Sequence, residues 1–194
     1  MKLRREVMTW PFILVLLFSN IATFADYEEG VEAAFSGDFE TAFSEFTAAA
    51  EDGLSLAQYN LGILYFTGQG VSKNLEEAFK WTKAAAEQGH LNAQFNLGSL
   101  YLDGQGTEQN ISEGIDWFIL AAKDGHGNSA YSLAKIFQTG DSVESDQVQA
   151  HAWAALSEMN GHPEGNLLKK EIAESLNTEE ISQARRLFAT WQIE

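Results

Sequence analysis

The sequence repeats itself with a period of 36 residues, and this period constrains the fold more than any other feature. Four glycines, three leucines and three tryptophans recur at that interval: Gly53, Gly89, Gly125 and Gly161; Leu61, Leu97 and Leu133; Trp81, Trp117 and Trp153. Chance does not align so many different residue types. A period of about 20–50 residues predicts stacked copies of one small unit, which complete a shared core only together.

Each unit is predicted to be an antiparallel pair of helices. In the first helix, Leu61, Leu64 and Tyr65 form one apolar stripe at helical spacing. This helix is expected to stop at Gly68, because glycine readily adopts a positive φ. The second helix opens on a capping-box-like spacing that recurs in the repeat register: Asn74 with Glu77, Asn110 with Glu113, and Asp146 with Gln149.

Both ends of the array depart from the repeat, as capping segments of a helical array do. Upstream, a short helix is expected from Tyr27 to Ser36 and a second one from Phe39. Downstream, apolar positions predict two closing helices, one with Leu167, Leu168, Ile172 and Leu176 and one with Ile181, Ala184, Leu187, Phe188 and Trp191. We divide the chain into a signal peptide (1–25), an N-terminal half-repeat (26–52), three repeats (53–88, 89–124 and a divergent 125–160) and closing helices (161–194).

The N-terminus has the pattern of a secretory signal peptide. The basic residues Lys2, Arg4 and Arg5 precede the apolar run Trp10–Phe18, and small residues lead up to Ala25. We expect cleavage after Ala25, a periplasmic or secreted location, and no stable membrane insertion of the mature chain. The alternative is an uncleaved anchor, because the uncharged stretch that ends at Ala25 reaches the lower length limit of a membrane span.

Composition excludes several function classes. The chain has no cysteine, so it has no disulfides, no thiolate metal sites and no cysteine nucleophile. Its net charge is −16, and loss of residues 1–25 removes three basic residues and one acid, which moves the charge to −18. Such an acidic surface repels phosphate backbones, so nucleic acid is not an expected partner. The charge either serves solubility alone or favours a basic partner.

One unit of the sequence resembles the Sel1-like repeat, a relative of the tetratricopeptide repeat with a longer loop between its helices. The matching residues are Ala57-x-x-x-Leu61-Gly62-x-x-Tyr65-x-x-Gly68-x-Gly70. The resemblance implies an all-α, right-handed α-solenoid whose first helices line a concave groove. It also implies adaptor or regulator roles in signalling, envelope control or host contact. A cysteine-rich branch of the family, linked to β-lactam binding or hydrolysis, does not carry over to a chain without cysteine.

The groove implied by this resemblance supplies the candidate binding site. Its positions flank the Leu-Gly pair of each first helix and map to Tyr59, Asn60, Ile63, Phe95, Asn96, Ser99, Tyr131 and Lys135. The two asparagines are expected to hold a peptide backbone, because a side-chain amide both donates and accepts hydrogen bonds. The three aromatic residues either form a track for peptide side chains or pack between the repeats.

No group of residues indicates catalysis. The chain contains no P-loop, nucleophile elbow or HExxH motif. His90, His126 and His162 recur at the repeat interval, and we interpret them as turn residues because equivalent positions of stacked units lie too far apart to share a metal ion. We therefore expect a scaffold that binds a peptide or a partner domain, with no metal, no cofactor and no enzymatic activity. The alternatives are a β-lactamase-like envelope hydrolase and a purely architectural envelope component.

Overall fold

The computed structural model describes residues 10–192, with side chains from Thr23 to Gln192. In this range it contains ten helices and no strand. The helices are α1 (Trp10–Ser36), α2 (Phe39–Glu51), α3 (Ser55–Thr67), α4 (Leu75–Glu87), α5 (Leu91–Asp103), α6 (Ile111–Lys123), α7 (Gly127–Thr139), α8 (Gln147–Met159), α9 (Gly165–Ala173) and α10 (Thr178–Trp191). The basic residues Lys2, Arg4 and Arg5 of the predicted signal peptide lie outside the described residues.

The helix boundaries keep the period of the sequence. The first helices α3, α5 and α7 have 13 residues each and begin 36 residues apart, and so do the second helices α4, α6 and α8. Each first helix pairs with the following second helix, and each hairpin packs against the next one. Both α9 and α10 pack against α8. The prediction of an all-α solenoid of helical hairpins is confirmed.

Glycine and asparagine delimit the helices as predicted, with one difference. The first helices end at the left-handed residues Gly68, Gly104 and Gly140. The caps Asn74, Asn110 and Asp146 accept the backbone N–H of the residue three positions later. Their own N–H groups donate to carbonyls of the paired first helix, for example Asn74 to Tyr65 at 2.9 Å. The predicted capping boxes are therefore only half formed in the repeats, because the neighbouring helix supplies the acceptor that a glutamate side chain would supply.

The N-terminal helix is longer than predicted. Instead of beginning near Tyr27, α1 extends back to Trp10 and passes the predicted cleavage point after Ala25. The stretch between Trp10 and Phe24 contains no glycine, and its one proline, Pro11, lies in the first turn, where a helix tolerates it. Thr23 is 7% exposed, and its hydroxyl donates to Asp52 Oδ2 at 2.6 Å. None of the helices in the described range is long and apolar enough to cross a membrane.

Two closing helices, α9 and α10, follow the last repeat and pack against α8. Leu168 and Ile172 of α9 are buried, whereas Leu167 is 67% exposed. Neighbouring residues on a helix point about 100° apart, and Leu168 takes the inward position. The indole of Trp191 in α10 stacks on that of Trp153 with 3.8 Å between ring centroids.

The divergent third repeat is explained by these closing helices. Glu158 stands where the first two repeats have Ala86 and Ala122. Its carboxylate accepts hydrogen bonds from Asn166 and Lys169 of α9. These bonds lower the pKa of Glu158. The carboxylate of Glu158 therefore links α8 to α9. The first two repeats do not need such a contact, because another hairpin follows each of them.

Buried glutamines connect successive units. Gln58 Nε2 donates to the carbonyl of Ala50 at 3.2 Å, and its Oε1 accepts from Gln88 Nε2 at 2.7 Å. Gln94 Nε2 makes the equivalent contact one period later and donates to the carbonyl of Ala86, near the end of α4, at 3.4 Å. However, Gln94 Oε1 is buried without a partner among the described residues. The residue one period after Gln88 is Asp124, whose carboxylate has no N–H to donate.

Replacing Asp124 with glutamine is expected to stabilise the protein by about 1 kcal/mol, since an amide there can satisfy Gln94 Oε1. The change also removes a carboxylate from the C-terminal end of α6, where the helix dipole disfavours it. Urea denaturation measures the gain. Asp116→Gln, at an exposed position of the same helix, is the control for the lost charge. Equal stability of the two variants would contradict the proposed hydrogen bond.

Candidate functional site

Three depressions lie along the first helices and together form a groove. The N-terminal depression, of about 410 Å³, lies between α1, α2 and α3 and is lined by Tyr27, Val31, Ala34, Phe35, Phe39, Phe46, Asn60, Ile63, Leu64 and Gln69. The middle depression, of about 230 Å³, lies between α3 and α5 and is lined by Gly62, Ile63, Phe66, Asn96, Ser99, Leu100, Asp103 and Gln105. The C-terminal depression, of about 340 Å³, is lined by Ser99, Leu102, Asp103, Phe118, Tyr131, Ser132, Lys135 and Ile136.

Shared residues join these depressions into one surface. Ile63 lines both the N-terminal and the middle depression. Ser99 and Asp103 line both the middle and the C-terminal depression. The groove therefore runs without interruption from α1 to α7, with one depression between each pair of successive first helices.

The structure brings six of the eight predicted site residues into the groove. Asn60, Ile63, Asn96, Ser99, Tyr131 and Lys135 line at least one depression. Tyr59 and Phe95 line none of the three. All eight side chains are partly buried.

The two asparagines are each bound to a tyrosine of the preceding unit. Asn60 Nδ2 donates to the hydroxyl of Tyr27 at 3.4 Å. Asn96 is hydrogen-bonded to Tyr59, whose pKa is raised by burial and lowered to a smaller extent by this bond. A side-chain amide offers two N–H donors and a carbonyl acceptor, so one contact leaves most of its hydrogen-bonding capacity available. The tyrosines thus orient the amides without saturating them.

The predicted aromatic track packs largely against histidines. Each aromatic residue contacts the histidine that opens the next unit. Tyr59 stacks on His90 with 4.4 Å between ring centroids and Tyr131 on His162 with 4.1 Å, whereas the ring of Phe95 lies 5.0 Å from that of His126 at a tilt of 38°. Packing between repeats therefore accounts for Tyr59 and Phe95. Tyr131 also lines the C-terminal depression, and its hydroxyl donates to Glu164 at 2.9 Å.

The repeated histidines lie at the turns between units, and two of them, His90 and His126, cap the next helix. His90 Nδ1 accepts the backbone N–H of Ala93, and His126 Nδ1 that of Ser129, both at 3.2 Å. Burial lowers the pKa of both imidazoles. A lowered pKa keeps the ring neutral, which the accepting Nδ1 requires. In the part of the chain that the structure describes, no three histidine or carboxylate side chains converge to hold a metal ion.

Asp103 and Phe35 are among the groove residues that sequence reasoning missed. Asp103 is the last residue of α5 and lines two depressions, whereas the equivalent residues in the other units are Thr67 and Thr139. Phe35 lines the N-terminal depression and is 89% exposed. A comparison of the repeats position by position could have found Asp103, because a charge replaces a neutral residue there. Phe35 lies outside the repeat register and had no such signal.

The family model for the Sel1 repeat matches residues 55–90, 91–126 and 127–162. The chain belongs to the Sel1 repeat family. The three matches keep the 36-residue period and begin two residues later than the units delimited above. Sel1 repeat proteins generally mediate protein–protein interactions and are typically non-catalytic scaffolds.

Two solved structures are similar to this Sel1 repeat chain. A Sel1 repeat protein from Oxalobacter formigenes has 32% sequence identity and a TM-score of 0.66, over 72% of this chain and 57% of that chain. The protein c5321, described as a protective antigen present in uropathogenic Escherichia coli strains and displaying an SLR fold, has 26% identity and a TM-score of 0.49, over 87% of this chain and 45% of that chain. This chain thus spans about half the length of these two proteins. No curated protein matches it.

Proposed function

We propose that this Sel1 repeat protein is an interaction scaffold that binds an extended segment of a partner protein in its groove. The supporting observation is the continuous row of three depressions between α1 and α7, joined by Ile63, Ser99 and Asp103. Their walls are mainly apolar and carry a few amide and hydroxyl groups. Apolar pockets with sparse polar groups suit the side chains and backbone of a peptide.

Ser99 is the best position for a test, because it is shared by two depressions. Peptides selected for binding to the wild-type protein from a random display library are expected to lose at least about tenfold in affinity for Ser99→Trp, since the indole fills the groove. Asn60→Ala combined with Asn96→Ala is expected to weaken the same peptides by removing the amide contacts. Fluorescence anisotropy with labelled peptides measures both effects.

Ser112→Trp is the matched control, because Ser112 is exposed on the first turn of α6 and lines none of the three depressions. It should bind the selected peptides as the wild-type protein does. Circular dichroism establishes that all variants are folded. Equal affinities of the Ser99 and Ser112 variants would contradict binding in the groove.

We further propose that the chain is exported and loses residues 1–25. In support, a chain that begins at Asp26 would carry Glu28 and Glu29 in the first turn of its shortened first helix. Carboxylates at a helix N-terminus interact favourably with the helix dipole. Cleavage would remove the hydrogen bond between Thr23 and Asp52. The intact mass of the protein recovered from the envelope of a bacterial host distinguishes a chain that begins at Asp26 from one that keeps Met1.

A further inference from the structure

We infer that the middle depression accepts a lysine or arginine side chain of the partner segment and that the N-terminal depression accepts a large apolar side chain next to it. This inference rests on the proposed function and adds the chemistry of the partner. It depends on the charge of Asp103, on the walls of the middle depression and on the apolar lining of the N-terminal depression.

Asp103 is the only charged residue that lines the middle depression. Its carboxylate is exposed and makes no hydrogen bond or ion pair with another side chain among the described residues. A negative charge at the last residue of a helix opposes the helix dipole, so this acid does not stabilise α5. The equivalent Thr67 instead donates its hydroxyl to the carbonyl of Ile63 at 2.8 Å. A bound cation would be attracted both by the carboxylate and by the carbonyl end of α5.

The walls of the middle depression suit a long basic side chain. Ile63, Phe66 and Leu100 offer apolar surface, and Asp103 lies at the same depression. Lysine and arginine bury their aliphatic stems along such a surface while the charged end stays near water or a counter-ion. A purely apolar ligand would leave the carboxylate without a partner, and an acidic ligand would be repelled by it.

Two cations of the chain lie near this site, and neither pairs with Asp103. Lys135 lines the C-terminal depression, but its ammonium donates to Gln138 Oε1 at 2.8 Å. Lys73 Nζ lies 5.2 Å from the centroid of the Phe66 ring.

The lining of the N-terminal depression determines which type of side chain the partner carries near its basic residue. Eight of its ten lining residues are apolar or aromatic, and Phe35 is a nearly fully exposed aromatic side chain at its edge. An apolar hollow beside an exposed phenyl ring favours a large apolar ligand group. Ile63 lines both depressions, so they adjoin, and an extended chain advances about 3.3–3.6 Å per residue. The apolar and basic residues of the partner should therefore be only a few positions apart.

Synthetic peptides test this inference on the full chain. Labelled ten-residue peptides carry one phenylalanine and one arginine, two to four positions apart, in an alanine–serine background. Matched peptides replace arginine with citrulline, its neutral isostere, or phenylalanine with alanine. Wild-type protein is expected to bind the arginine peptide about fivefold more tightly than its citrulline counterpart, the upper range for a partly exposed ion pair.

Asp103→Asn is expected to abolish this preference for arginine while its affinity for the citrulline peptide stays the same. Asp116→Asn, which removes the same charge from an exposed position outside the groove, should keep the preference. If the peptides bind but wild-type protein does not distinguish arginine from citrulline, the inference fails and groove binding stands. If alanine in place of phenylalanine leaves affinity unchanged, the role of the N-terminal depression fails. If none of these peptides binds whereas library-selected peptides bind in the groove, the inference fails and the proposed function stands; if neither kind binds in the groove, both proposals are overturned.

Discussion

Replacing Gly106 with alanine is expected to destabilise the protein by about 3–5 kcal/mol, an unusually large effect for the addition of one methyl group. Gly106 lies in the loop between α5 and α6 and has a φ of +74°. A Cβ at this position would lie 2.0 Å from the carbonyl oxygen of Leu75, at the start of α4 in the preceding unit. The obstacle is backbone, so it cannot move aside without displacing α4. The glycine is therefore a contact between two units as well as a turn.

Gly125→Ala separates the two causes. Gly125 also has a positive φ, of +101°, but a Cβ there would meet no atom within 4 Å. Gly125→Ala should lower the free energy of unfolding by about 1–2 kcal/mol, through backbone strain alone. The difference between the two variants, measured by urea denaturation, isolates the steric contact with α4. Equal losses for both variants would show that the loop of Gly106 can move away from Leu75.

Gly106 shows which features of the fold the sequence predicts and which it does not. The recurrence of Gly70 and Gly106 marks a loop at which the first helix of each unit ends, and the structure confirms that helix boundary. The sequence gives no sign that a Cβ at either position would strike the unit before it. One period earlier, a Cβ at Gly70 would lie 1.9 Å from the carbonyl oxygen of Phe39. A repeat reveals what each unit contains, whereas contacts between units depend on how the units are stacked.

The same limit applies to the prediction of the candidate site, because the sequence does not show which face of a first helix meets the groove. Asn60 and Ile63 line the groove, but Tyr59, one residue before Asn60, packs on His90 instead. Adjacent residues on a helix differ by about 100° in direction, and a first helix of a solenoid has apolar neighbours on more than one side. Periodicity therefore does not separate the stripe that faces the groove from the one that faces the next unit. Asp103 escaped prediction because it lies at the helix end, away from the Leu-Gly pair.

Replacing Leu97 with alanine is expected to cost about 2–5 kcal/mol and to reduce the cooperativity of unfolding. Leu97 is fully buried in the central core cluster, whose other fully buried members are the alanines Ala85, Ala86 and Ala93. The clusters on either side of it contain several larger buried side chains. Truncation of Leu97 therefore removes the largest buried group from the region that couples the two halves of the solenoid.

Hydrogen exchange of the folded variant locates this effect. In the wild-type protein, backbone amides of α3 and α7 should share one global unfolding reaction, whereas Leu97→Ala should let the two halves open separately. Leu120→Ala removes the same atoms from a side chain that is 43% exposed and should leave exchange nearly unchanged. If amide exchange in Leu97→Ala becomes faster by the same factor in all helices, Leu97 does not specifically couple the two halves of the solenoid. Because Ser99 and Asp103 lie on the same helix as Leu97, a looser centre should also weaken any ligand that spans the middle depression.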